Sequence, residues 1–153
     1  MTNFKIVFPR AAAAIMVSLL LVSTATAELG ANSSTVVNDA VRLKATPRVT
    51  ANSRFAVHEM TAATGTVVRE YASPSGVVFA VAWSGPYKPD LRQLMGRHFD
   101  TYIQQAQLRR ARGTRRIQAG NLVVELSGHA RDFHGRAYLA DSVPAGVDVK
   151  EIQ

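Results

Sequence analysis

The fold is decided by residues 77–83, Val77-Val78-Phe79-Ala80-Val81-Ala82-Trp83. All seven side chains are apolar, so this segment has no face that favours water. A strand of this kind is typically covered on both sides, and we expect it at the centre of a sheet. The preceding residues, Ser73-Pro74-Ser75-Gly76, predict a tight turn, because proline presets φ and glycine tolerates positive φ.

Four further strands are predicted on either side of this central segment. Two precede it, at Phe55 to His58 and at Thr66 to Tyr71, and two follow it, at 122–127 and at about 130–139. In the last strand, Phe133, Ala137 and Leu139 alternate with polar residues and are expected to face the core. Short turns between successive strands indicate an antiparallel arrangement.

The segment from 90 to 111 predicts a long amphipathic helix. Asp90 is a good N-cap, and apolar residues recur at helical spacing from Leu91 to Ala106. We therefore predict an α+β fold, in which an antiparallel sheet of about five strands packs on one long amphipathic helix. A short N-terminal helix at about 34–44 is expected beside it.

The first 27 residues predict a secretory signal peptide that is cleaved. Lys5 and Arg10 precede the apolar run 11–22, and Ala25-Thr26-Ala27 has the small-x-small form cut by signal peptidase. The run is shorter than the ~20 residues of a membrane-spanning helix. We expect three parts: the signal peptide (1–27), a flexible lead-in with the short helix (28–53) and a single α+β domain (54–153).

Composition limits the possible chemistry. The chain has no cysteine, which excludes disulfides, thiolate metal sites and thiol nucleophiles. The predicted leader holds two of the 18 Lys and Arg residues and none of the 11 acids, so the remainder keeps a net charge of +5. A basic protein favours anionic partners, and export to the periplasm or medium disfavours nucleic acid.

Several segments resemble a family of small exported proteobacterial proteins of unknown function. The most specific are Ser73-Pro74-Ser75-Gly76-Val77-Val78-Phe79 and Pro89-Asp90-Leu91-Arg92-Gln93-Leu94. Gly128-His129, Gly135-Arg136-Ala137 and Pro144-Ala145-Gly146-Val147 extend the resemblance over nearly the whole exported chain. The resemblance implies export and a shared fold, and it supplies no activity, ligand or catalytic residue.

The densest charge cluster is a candidate anion site. It consists of Arg109, Arg110, Arg112, Arg115 and Arg116. Guanidinium groups can hold phosphate or carboxylate with two hydrogen bonds each. The alternative is that these cations stabilise a helix C-terminus and keep a loop soluble.

Two groups of residues that contain histidine are weaker candidates. His129 and His134, with Asp132 between them, have the donor types of a metal site. They would lie on opposite faces of a continuous strand, although a turn could bring them together. His58 lies near Glu59 and the Arg69-Glu70 pair, which permits a general base. Cross-strand ion pairs on an exposed sheet face explain the same residues.

The sequence therefore favours an exported envelope protein that binds an anionic envelope component or a partner protein without catalysis. No cofactor is expected, and no transmembrane segment is expected after signal cleavage. Two alternatives stay open: a hydrolase-like enzyme with a His–carboxylate pair, and a structural protein that self-assembles through an edge strand.

Overall fold

The computed structural model describes residues 28–36, 40–41, 44–108 and 115–153. The predicted signal peptide lies outside these residues, as does part of the predicted N-terminal helix. The described chain forms one antiparallel sheet of seven strands in the order β1-β2-β3-β4-β7-β6-β5. The strands are β1 (Arg48–Ala51), β2 (Ala56–Thr61), β3 (Val67–Ala72), β4 (Val78–Gly85), β5 (Arg115–Ala119), β6 (Leu122–His129) and β7 (Asp132–Leu139).

The prediction of about five strands was wrong, because the sheet has seven. The two additional strands, β1 and β5, are its edges. All four residues of β1 are exposed, and β5 buries only Ile117. Strands that bury little on either face show no apolar alternation, so the pattern that revealed the other five is missing from these two.

The central strand β4 is apolar on both faces because both faces are covered. Its register with β3 shifts by one residue, so that Tyr71 pairs with Ala80 and Ala72 pairs with Val78. The extra residue, Phe79, forms a β-bulge and places its ring on the same side as Ala80. Val78 and Val81 point to the opposite side. One strand therefore contributes to two hydrophobic cores.

The first core lies on the side of the sheet covered by helix, which we call the helix face. The helical segment consists of α1 (Leu91–Met95), a 3-10 turn (Gly96–His98) and α2 (Phe99–Leu108). The Asp90 side chain accepts hydrogen bonds from the backbone N–H groups of Arg92 and Gln93, as a helix N-cap does. The predicted continuous helix is interrupted at Gly96, and residues 109–111 of that prediction lie outside the described residues.

The helix is interrupted at Gly96 for two reasons, the positive φ of this residue and the close approach of the Glu28 side chain. The φ of Gly96 is +50°, which side-chain-bearing residues rarely adopt, and the Glu28 side chain occupies the space a Cβ would take. The adjacent Leu29 is fully buried in the helix-face core, and its N–H donates to the carbonyl of Leu94 at 3.0 Å. Residues 28–31 thus pack against the helix and against β4, where Val78 donates to Ala31.

The second core lies on the other side of the sheet, beneath residues 143–153, which we call the strap. It contains the rings of Phe55, Tyr71, Phe79 and Tyr138, and Ile152 of the strap, 1% exposed. The strap includes a 3-10 turn (Val149–Glu151) closed by a capping box between Asp148 and Glu151. We call this side of the sheet the strap face. Only part of it is covered, and the candidate site lies on the remainder.

Candidate functional site

A single row of six charged residues, interrupted by one alanine, crosses the strap face. Each member is the direct cross-strand partner of the next, from β1 at one edge to β5 at the other. In order these residues are Arg48, Glu59, Arg69, Ala82, Arg136, Glu125 and Arg116. We call this set the charge row. Its signs alternate on each side of Ala82, and its four arginines outnumber its two glutamates.

Short ion pairs hold the charge row together. Arg69 Nε lies 2.7 Å from Glu59 Oε2, and Arg136 Nη2 lies 2.6 Å from Glu125 Oε2. Glu125 also receives Arg116 Nη1 at 2.6 Å. The Arg69–Glu59 contact confirms the cross-strand ion pair expected on an exposed sheet face. The Arg136–Glu125 pair, with each side chain less than a quarter exposed, is more shielded from salt than the others.

Ala82 leaves a gap in the middle of the charge row, and the end of the strap lies there. Arg136 Nη1 donates to the backbone oxygens of Val149 at 2.6 Å and Ile152 at 3.0 Å. Arg69 Nη1 donates to the backbone oxygen of Gln153 at 3.1 Å. The Tyr71 hydroxyl donates to the same oxygen at 2.9 Å and accepts from the Gln153 N–H at 3.0 Å. The two arginines therefore position the strap by its main chain.

A groove of about 500 Å³ remains open beside the strap. It is lined by Arg69, Arg136, Ser84, Ser127, His134 and Ile152, among others. Ser84 and Ser127 are the cross-strand partners of His134 on either side. Arg69 Nη2 and both serine hydroxyls make no hydrogen bond to another described residue. The groove thus presents uncommitted donors next to cationic groups, which suits an anion.

His129, Asp132 and His134 meet at the hairpin between β6 and β7. The turn at Ala130 and Arg131 places all three on the strap face, which a continuous strand would not do. Asp132 Oδ1 lies 2.6 Å from His134 Nε2, and Asp132 Oδ2 lies 3.8 Å from His129 Nε2. In the part of the chain that the structure describes, no three His, Asp or Glu side chains form a group that could hold a metal ion. The pair His129 and His134 stays a weak metal prediction.

His58, the other predicted histidine, lies on the helix face. It is the cross-strand partner of Glu70, whose side chain is only 1% exposed, while Glu59 points to the strap face. Burial lowers the pKa of His58 below its ordinary value of 6.5. An imidazole opposite a buried carboxyl group is compatible with a general base, but the groove described above lies on the other side of the sheet.

The predicted arginine cluster is divided between the two faces. Arg115 and Arg116 are consecutive residues of β5 and so point to opposite sides of the sheet. Arg116 belongs to the charge row, whereas Arg115 lies near Tyr102 on the helix face, where its charge opposes the burial that raises the pKa of that phenol. Arg109, Arg110 and Arg112 lie outside the described residues. The five-arginine anion site stays a prediction.

Sequence reasoning missed Arg48, Arg69 and Arg136 as candidate ligand-binding residues. They are far apart in the chain, and only the pairing register brings them into one row. The signal that could have found them is the recurrence of Arg and Glu on the polar side of successive strands, read together with the turn lengths.

Among the described residues, we find no helix with the length and apolar character that crossing a membrane requires.

The chain was compared with known families, curated proteins and solved structures. The sequence model of a protein family of unknown function, DUF2844, matches residues 25–152. No curated protein and no solved structure matches the chain.

Proposed function

We propose that this chain, which belongs to the DUF2844 family of proteins of unknown function, is an exported, non-enzymatic module that binds an anionic component of the cell envelope. The family resemblance read from the sequence is confirmed, and export and proteobacterial origin stay predictions. Membership of this family assigns no activity, and the support for this function comes from the geometry of the strap face.

The observation that carries the proposal is the charge row beside an open groove. Both glutamates of the row are already paired, so they do not repel an incoming anion as free carboxylates would. Arg69 and Arg136 line the groove with one glutamate, Glu125, and the free donors of Arg69, Ser84 and Ser127 face the same solvent-accessible space. Phosphate and carboxylate groups of envelope glycans and lipids match these donors.

The test is binding to lipopolysaccharide at increasing salt. We expect affinity to fall steeply as salt rises, because the row is exposed at both ends and its field is screened over about 10 Å at 0.1 M salt. The double variant Arg48→Gln/Arg116→Gln removes the two end charges while leaving the pairs of Arg69 and Arg136 in place. We expect it to lose about fivefold or more in affinity at low salt.

Arg92→Gln is the matched control. Arg92 is similarly exposed but lies on the helical segment, where it pairs with Asp100. Neutral phosphatidylcholine vesicles control for non-specific adsorption. Affinity that is independent of salt, or equal losses in the double variant and in Arg92→Gln, would exclude the charge row as the binding surface. The five-arginine variant at 109, 110, 112, 115 and 116 tests the sequence-based cluster in the same assay.

A hydrolase is the second candidate, favoured by the contact of Asp132 with His134, which lines the groove. Serine, histidine and aspartate are the components of a nucleophilic triad, and Ser84 and Ser127 flank His134. Neither serine hydrogen-bonds to His134, whose side chain is 49% exposed, so the histidine is not positioned as a base. Ester hydrolysis that is lost in Ser84→Ala or Ser127→Ala and in His134→Ala would establish this alternative.

A further inference from the structure

Strand β1 offers an open hydrogen-bonding edge. All four of its residues are exposed, and within the described part of the chain it pairs with β2 alone. The Asn52 N–H donates to the carbonyl of Phe55 at 3.0 Å, which makes 52 and 55 a hydrogen-bonded pair. Hydrogen-bonded and non-hydrogen-bonded pairs alternate along an antiparallel ladder. Thr50 and Arg48 therefore bond to β2, and Val49 and Ala51 direct their N–H and C=O groups outward.

The charge row ends at this edge on Arg48, an exposed cation with no acidic partner among the described residues. Arg48 pairs in register with Glu59, but Glu59 is held by Arg69, and Arg48 makes no hydrogen bond or ion pair with another described residue. The row alternates from Arg69 through Glu59 to Arg48. A further strand placed against β1 would continue that alternation with an acidic residue opposite Arg48.

The opposite face of the same edge is apolar. Val49 is 56% exposed and shares the helix face with its cross-strand partner His58. Consecutive residues of an incoming strand point to opposite faces. The residue next to the acidic one would therefore lie against Val49, where an apolar side chain buries more surface than a polar one. The edge thus favours an acidic residue with an apolar neighbour next to it in the sequence.

We propose that β1 accepts an extended segment of a partner protein as an eighth strand, with an acidic residue facing Arg48 and an apolar residue facing Val49. A second copy of this chain does not fit this description. Strand β1 contains no acidic residue, and β5, the other edge, places Arg116 at the row position. Pairing either edge of one copy with β1 of another would leave Arg48 without an acidic partner.

Two synthetic peptides test the charge preference. Thr-Val-Glu-Val-Thr and Thr-Val-Lys-Val-Thr differ only at the residue that would face Arg48, and both carry valine toward Val49. Titration followed by NMR is expected to show about fivefold tighter binding of the glutamate peptide, since cross-strand pairs of opposite charge stabilise and like charges destabilise. Arg48→Glu is expected to reverse the order. Equal affinity of the two peptides would overturn the proposal.

A proline variant tests the backbone pairing. Val49→Pro removes an outward-facing donor and keeps the β1–β2 hydrogen bonds, and proline is tolerated at such edge positions. We expect about a fivefold loss of affinity for the glutamate peptide relative to Val49→Thr, which retains the N–H. Unchanged peptide binding by Val49→Pro would contradict the strand-addition geometry.

Hydrogen exchange in the unmodified protein gives a measurement that does not depend on how the proline variant folds. Saturating glutamate peptide is expected to protect the amides of Val49 and Ala51, and their unchanged exchange would also overturn the proposal. Lipopolysaccharide binding distinguishes this site from the one proposed above. A folded Val49→Pro protein is expected to retain it, because the variant changes no residue of the charge row.

Discussion

Gly135 shows how tightly one residue can be constrained by its neighbour across the sheet. It is the cross-strand partner of Trp83, and the indole ring lies over it on the helix face. A Cβ at this position would lie 2.2 Å from Trp83 Cζ2 and 3.0 Å from the backbone oxygen of Glu125. Trp83 is only 2% exposed, so its indole is packed within the helix-face core.

We predict that Gly135→Ala lowers the free energy of unfolding by about 1–3 kcal/mol, because the added methyl group overpacks the core. Urea denaturation of the wild-type and variant proteins measures this change. In a Trp83→Leu background the ring is gone, and the same alanine should cost much less. An equal cost in both backgrounds would show that the strain arises from the backbone rather than from the indole.

Among the structural elements, the helical segment was predicted in part and the two edge strands were not predicted. The helix N-cap at Asp90 was predicted, because capping uses local chemistry. The break at Gly96 was not, because it depends on Glu28, a residue distant in the chain. The two edge strands were missed because exposure on both faces removes apolar alternation.

The candidate site was harder to predict than the elements that carry it. The Glu59–Arg69 pair was expected, since both residues lie on strands joined by a short turn. The pairing of Glu125 with Arg116 requires β5, which was missed. The placement of Arg136 opposite Ala82 depends on the β4–β7 register, which no local pattern encodes. The role of Arg136 in holding the strap depends on main-chain oxygens, whose position is invisible in a sequence.

The strap gives a prediction at the scale of an element. Ile152 fills the strap-face core, and we predict that Ile152→Ala lowers the free energy of unfolding by about 2–4 kcal/mol by leaving a cavity. Lys150→Ala, an exposed neighbour in the same strap, is expected to change it by less than about 0.5 kcal/mol. Urea denaturation checks both. A small effect at Ile152 would mean that the sheet is stable without the strap.

For the whole molecule, two partly buried histidines set a pH dependence of stability. Burial is the main cause that lowers the pKa of His58 and of His98 below the ordinary value of 6.5, and the Arg97 charge adds to it at His98. The unfolded chain therefore binds protons more readily than the folded chain as pH falls below about 6.5. Stability is expected to decrease with falling pH in that range.

We predict that the melting temperature drops between about pH 7.5 and about pH 5, and that His58→Asn and His98→Asn each make the drop smaller. The comparison is between the two pH values within each protein, so any packing loss caused by the substitution cancels. His129→Asn is the control, because that side chain is 82% exposed. A drop that is unaffected by either substitution would assign the acid sensitivity to carboxylates instead.

The position of the strap in the chain has a consequence for biogenesis. Because synthesis proceeds from the amino end, all seven strands are made before residues 143–153 are added. During that interval the rings of Phe55, Tyr71, Phe79 and Tyr138 lack their cover. Until Ile152 packs against these rings, the charged side chains that cross the same surface oppose aggregation of the uncovered sheet.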